Sequence, residues 1–299
     1  MTFPEPTMIP VNGVELEVFE AGTGKPVVLC HGWPEHASTW RHQIPALVAA
    51  GHHVIAPNQR GYGNSSRPAE VTAYDIEHLT GDLVALLDHY GYDDATFIGH
   101  DWGAYVVWSL AVLHPARVDK VINLSLPYPD REAMPSIDFM ESVLGSDYYF
   151  VHFNRQPGVA DALFDANTAR FLRNLYSEPA AGTPLIDLAT AQTVPGKPVL
   201  SDDDLAVLTA AFTSSGFTGG INWYRNFDRN LRLLADADPI VHQPTLMIYG
   251  ARDTIPPSPN LTDFVPNADV LSLDCGHWIQ QERPEETTRA ILDWLAQPR

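Results

Sequence analysis

Of the 299 residues, 45% are hydrophobic and 18% charged, enough to bury a large core in one domain with an insertion or in two small domains. A formal net charge of −19 excludes a nucleic-acid binder, which needs clustered Lys and Arg, and points to no cationic ligand, because acidity spread over a surface mostly serves solubility. Cys30 and Cys275 are too few for a disulfide framework, no apolar stretch is long enough to span a bilayer, and the N-terminus lacks the basic and apolar regions of a secretory leader; a cytoplasmic location is expected.

In chain order, residues 14–19 alternate as a strand does, and 26–30 form a short apolar run between Gly24 and Gly32. A helix-like segment ends near Gly51, a strand follows at 53–56, and an amphipathic helix spans 76–90. The run 95–99 predicts a buried strand, 104–113 a buried helix, and 118–125 another strand. Strands alternating with helices predict a mostly parallel sheet covered on both faces. The rhythm breaks near Pro127 and Pro129, and from about 130 to 238 only helical segments and Pro- and Gly-rich loops are evident. Strands resume at 244–249 and 270–273, and a helix closes the chain at about 284–295. These boundaries divide the chain into a core over 1–129, a helical cap over 130–238 and the rest of the core over 239–299. Such a cap is expected over the carboxyl ends of the strands, where open sheets place ligands.

Gly99-His100-Asp101-Trp102-Gly103 lies between the predicted strand and helix. Glycine at both ends permits a sharp reversal without a side-chain clash, leaving the middle residue exposed beside the new helix's N–H groups. That is the geometry of a nucleophile elbow, whose usual occupant is serine. Aspartate there forms an ester with an alkyl carbon, which moves the chemistry from acyl transfer to displacement at saturated carbon. Taken alone, the motif is equally an aspartate capping a helix. Its partners decide the matter. Asp253 follows one predicted strand and His277 follows the last, so nucleophile, acid and histidine appear in the order of this architecture, each at a strand's carboxyl end. His31-Gly32-Trp33-Pro34 supplies a tight turn after the second predicted strand, and the backbone N–H groups of Trp33 and Trp102 would form an oxyanion hole.

These motifs resemble the epoxide hydrolases of the α/β-hydrolase fold over nearly the whole chain. His31 to Pro34 resembles that family's oxyanion motif, Arg60 to Pro68 its loop after the fourth strand, and Gly99 to Gly103 its aspartate elbow. The family holds the epoxide oxygen with two cap tyrosines. The stretch 215–226 resembles the surroundings of the second and implies Tyr224; 148–158 resembles those of the first, where counting back from Phe153 favours Tyr149 over Tyr148. One departure is Asn58, where an acidic residue is commoner; it puts loop packing in question rather than chemistry.

The resemblance implies that Asp101 opens an epoxide to an ester while Tyr149 and Tyr224 protonate its oxygen. His277, oriented by Asp253, then activates the water that releases a vicinal diol, and no metal or organic cofactor takes part. The expected partner is a lipophilic small-molecule epoxide, met by cap side chains such as Phe139, Met140, Phe150 and Phe212, in a monomer or homodimer. A haloalkane dehalogenase shares the nucleophile but leaves the paired tyrosines unexplained, and a fluoroacetate-type enzyme would want arginines soon after Asp101, where 104–113 has none. A catalytically silent binding protein of the same fold is opposed by the presence of Asp101, Asp253 and His277 together.

Overall fold

The computed structural model describes residues 3–130, 134–178, 183–192 and 196–297. Among the described residues ten strands form in chain order: β1 (Pro6–Val11), β2 (Val14–Ala21), β3 (Lys25–Cys30), β4 (His52–Asn58), β5 (Ala95–His100), β6 (Val118–Leu124), β7 (Ser177–Glu178), β8 (Lys197–Pro198), β9 (Thr245–Gly250) and β10 (Ala268–Leu273). Eight of them make one sheet in the order β1-β2-β4-β3-β5-β6-β9-β10. The pairs β1–β2 and β2–β4 are antiparallel, and every later pair is parallel. This is the mostly parallel α/β architecture that the alternating pattern predicts.

Successive residues of the central strands point to opposite faces, and the core divides accordingly. Val28, Cys30 and Phe97 join one apolar cluster with the helices Ile76–Tyr90 and Trp102–Leu113. Val27, Leu29 and Ile98 join the other, with Trp40 and with Trp294 of the helix Pro284–Leu295. Strands β5 and β9 are buried at every position, as befits strands covered on both faces.

Between β6 and β9 the described residues form mainly helices, most of them short, including Ile137–Leu144, Tyr149–Arg155, Thr168–Leu175 and Thr218–Arg225, with a longer one at Asp202–Ser215. Sequence patterning misses two features. The pair β7–β8 lies within the stretch read as strand-free, but at two residues per strand it has no periodicity to detect. The edge strand β1 contains Pro6 and Pro10; proline lacks the ladder donor and is tolerated there because β1 pairs on one side only.

Asn58 settles the packing question that the departure at this position raises. Its amide donates to Glu17 Oε2 at 2.6 Å while its oxygen accepts from Ala37 N at 2.8 Å. An aspartate here would face the Glu17 carboxylate with no proton to offer it.

Candidate active site

The elbow follows β5 directly. Asp101 has φ 51° and ψ −122°, and the helix begins at Trp102. The flanking glycines serve by size: a Cβ on Gly103 would overlap the Cys30 carbonyl, and one on Gly99 would stand 2.7 Å from Ala104 N. A Cβ on Gly32 would lie 2.6 Å from Asp101 Oδ1. Its absence lets the loop after β3 close on the elbow, and Trp33 N donates to Asp101 Oδ1 at 2.8 Å. Trp102 N–H also donates to this carboxylate. The two N–H groups expected to form an oxyanion hole therefore converge on one side chain.

His277 Nε2 stands 3.7 Å from Asp101 Oδ2. Its Nδ1 lies 3.2 Å from both oxygens of Asp253, which emerges just after β9. Burial opposes charge on the imidazole, but the hydrogen bond to Asp253 and the charges of Asp253, Asp101 and Glu35 outweigh it and raise His277 to about 9. Burial would raise Asp253; its bonds to His277 and Ser125 hold it at about 2. For Asp101 burial prevails, and its carboxyl lies above the ordinary value despite His277, His100 and the two N–H donors.

Sequence reasoning misses three supports of this triad. Ser125, at φ 70° just past β6, donates from Oγ to Asp253 Oδ2 at 2.6 Å and lies 3.1 Å from His277 Nδ1. Glu282 accepts from the N–H groups on either side of His277, Gly276 at 2.7 Å and Trp278 at 3.0 Å. The buried pair His100–Glu35 joins the two loops: His100 Nδ1 meets Glu35 Oε2 at 2.8 Å, and Nε2 donates to the His277 carbonyl at 2.8 Å. Glu35 also accepts from Gly32 N, Thr39 Oγ1 and Gln280 Nε2.

The helical insertion brings two phenols to the same place. Tyr149 begins the helix Tyr149–Arg155, Tyr224 lies in Thr218–Arg225, and their ring centroids are 5.8 Å apart. The two stretches singled out around them hold each other: Asn154 Nδ2 donates to the Tyr224 carbonyl at 3.2 Å, and Arg225 Nε to the Phe153 carbonyl at 3.0 Å. Arg225 also makes a bidentate pair with Asp161. Burial, with the Asp101 charge contributing, holds both phenols well above their ordinary pKa, so they keep their protons.

Asp101, His277, Tyr149, Tyr224 and Trp33 line one cavity of about 720 Å³, and Tyr148 is not among its lining residues. Trp102 and Asp253 stand behind the elbow and the histidine. Leu175, Leu185, Ile255 and Trp278 continue the wall, with Ser177, Thr183, Arg252 and Thr254 supplying polar edges. This corrects the expectation for Phe139, Met140, Phe150 and Phe212, none of which lines it. Phe139 is 59% exposed, Met140 and Phe212 are buried elsewhere in the insertion, and Phe150 packs behind Tyr224 at 4.9 Å. Helical periodicity cannot say which face of a short helix meets a cavity. Among the described residues, no group of three or more His, Cys, Asp or Glu is placed to hold a metal ion, and no helix is long and apolar enough to cross a membrane.

An acid–histidine pair beside a carboxylate, with two protonated phenols across an apolar cavity, can attack an electrophilic carbon and protonate the departing oxygen. Comparisons with known proteins identify the family. Residues 25–284 match the alpha/beta hydrolase fold family. The chain is 42% identical to epoxide hydrolase A of Mycobacterium tuberculosis (strain ATCC 25618 / H37Rv), over 99% of this chain and 98% of that one. The crystal structure of epoxide hydrolase A from Mycobacterium thermoresistibile superposes with a TM-score of 0.89 at 42% identity, covering 98% of each chain. An epoxide hydrolase from Vigna radiata does so with a TM-score of 0.89 at 31% identity, covering 99% of this chain and 98% of that one. The chain belongs to the epoxide hydrolases of the α/β-hydrolase fold.

Proposed function

We propose that this enzyme converts a lipophilic epoxide to a vicinal diol through an ester on Asp101, with residues 130–238 acting as a cap that supplies the acids. The convergence of Asp101, His277, Tyr149 and Tyr224 on one cavity carries the reading. In the first step an Asp101 oxygen attacks a ring carbon, the carbon–oxygen bond breaks, and one tyrosine gives its proton to the oxygen while the other hydrogen-bonds it. Esterification removes the Asp101 charge, one of the charges that keep His277 protonated. His277 can then release its proton, which restores the tyrosine.

In the second step neutral His277 takes a proton from water, and the hydroxide adds to the ester carbonyl. The N–H groups of Trp33 and Trp102 hold the resulting oxyanion, a contribution on the order of 3 kcal/mol per donor. Collapse breaks the acyl bond, the departing alkoxide takes the carboxyl proton, and Asp101 and charged His277 are regenerated with the diol. Every bond and proton is carried by these residues and water. Mostly apolar walls support a lipophilic substrate, and the two free, buried cysteines fit a reducing compartment such as the cytoplasm.

A single turnover of styrene oxide in heavy-oxygen water tests the scheme. The expected first-turnover diol carries ordinary oxygen, and label enters the peptide containing Asp101. Label in the first diol would mean direct attack by water and would remove the role given to Asp101.

A further inference from the structure

The stretch around Tyr224 contains Gly219 and Gly220, adjacent in the helix Thr218–Arg225, and the proposed chemistry uses neither. Glycine is a poor helix residue beside alanine, and neither position has the positive φ that would require it. The requirement is one of space. A Cβ on Gly219 would lie 2.5 Å from the Gly61 carbonyl oxygen and 2.6 Å from its Cα, so the first turn of the helix rides on the backbone of the core loop after β4. A Cβ on Gly220 would lie 2.6 Å from Trp33 Cδ1 and 2.8 Å from the Tyr62 hydroxyl.

Both rings are held by close neighbours. Trp33 is surrounded by the rings of Phe153, Phe164, Phe171, Phe217 and Tyr224, with centroids 5.4 to 6.5 Å away. Tyr62 is 1% exposed and wedged between His31 and Trp223. The loop behind Trp33 is fastened as well, by Gly32 N to Glu35 and by the Tyr176 hydroxyl to the Pro34 carbonyl. Helix displacement therefore relieves an added methyl more easily than loop displacement does. Gly220 and Tyr224 are four residues apart and share a helix face, so lifting one lifts the other. On the neighbouring face, Trp223 Nε1 donates to the Arg60 carbonyl at 3.1 Å and holds the helix on the loop after β4.

We infer that Gly220, assisted by the Gly219–Gly61 contact, is a positioning residue that sets how closely Tyr224 approaches the Asp101 carboxylate, and thereby governs epoxide opening rather than ester hydrolysis. The inference rests on the acid role proposed for Tyr224. Its test is rapid-quench turnover of styrene oxide by Gly220→Ala, with the Asp101 ester followed by intact-protein mass. Ester formation is expected to slow about tenfold or more, as part of the general-acid contribution is lost, while ester breakdown changes less than about threefold.

In a Tyr224→Phe background, where ester formation limits the turnover and is read from single-turnover diol appearance, the same substitution should add almost nothing, because its effect runs through that phenol. Unchanged ester formation, equal slowing of both steps, or an undiminished effect in the Tyr224→Phe background would overturn the inference and leave the ester mechanism standing. Absence of any ester in the unsubstituted enzyme would instead remove the mechanism and this inference together. First-order rate constants do not depend on the folded fraction, and if Gly220→Ala does not fold, Gly219→Ala is read by the same criteria.

Discussion

The two halves of this active site are held by different forces. On the sheet side, Asp101, Asp253 and His277 sit in a polar lattice in which backbone N–H groups, Ser125, His100 and two further carboxylates fix each loop within hydrogen-bond distance. On the insertion side hydrogen bonds hold the backbone around Tyr224, but its side chain is set mainly by rings, with Trp33, Trp102, Phe150 and Phe153 all within 5.4 Å centroid to centroid. Hydrogen bonds fix angles and protonation, which a nucleophile and a base require. Ring packing fixes position, and the Tyr224 hydroxyl, which accepts a side-chain hydrogen bond from Trp102, keeps its own proton for an incoming oxygen. The division matches the proposed steps: both halves act in ester formation, and the sheet side alone acts in ester breakdown.

Substitutions can break this division one side at a time. The largest effect is expected from His277→Gln, which removes the base: ester still forms, but its breakdown slows about 10³-fold or more, so alkylated protein accumulates to one equivalent by mass. Tyr224→Phe should have the opposite signature, with ester formation about 10²-fold slower and breakdown nearly unchanged in rapid-quench kinetics. Ser125→Ala removes a hydrogen bond to the charged Asp253, so breakdown alone should slow about tenfold; a proportional fall in ester formation would contradict a role confined to the triad.

The smallest and sharpest test is pH. Protonated His277 cannot take a proton from water, so breakdown should rise with pH through the histidine's pKa in the ester. That midpoint should lie below about 9, because esterification removes one of the charges that raise His277. Ester formation should instead fall only in acid, as Asp101 protonates, at a pH above the ordinary carboxylate range because burial raises its carboxyl. Single-turnover rates of each step across pH check both statements.

The same contrast explains what was legible in the sequence. The sheet could be read because its strands are apolar runs punctuated by glycine and proline, and a residue just past such a run stands at the sheet's active edge. Asp101, Asp253 and His277 each occupy that position. Their supports could not be read, because they act across long separations. Ser125 and Asp253 are 128 residues apart in the chain, and His100 and Glu35 are 65 apart. Nothing local to Ser125 or Glu35 distinguishes them from an ordinary loop serine or a surface glutamate. The insertion was harder still, because its helices are short and aromatic on more than one face. Resemblance located the stretches bearing Tyr149 and Tyr224, whereas the cavity wall, carried by Leu175, Leu185 and Ile255, had no local signature.

The claim that the insertion serves only the first step is tested most directly by one comparison of quenched single turnovers. Intact-protein mass would follow the Asp101 ester in the unsubstituted enzyme, in Tyr224→Phe and in His277→Gln, with styrene oxide as substrate. The account predicts transient ester in the first, almost none at any time in the second, and a stable full equivalent in the third. Ester accumulating in Tyr224→Phe, or failing to accumulate in His277→Gln, would contradict it.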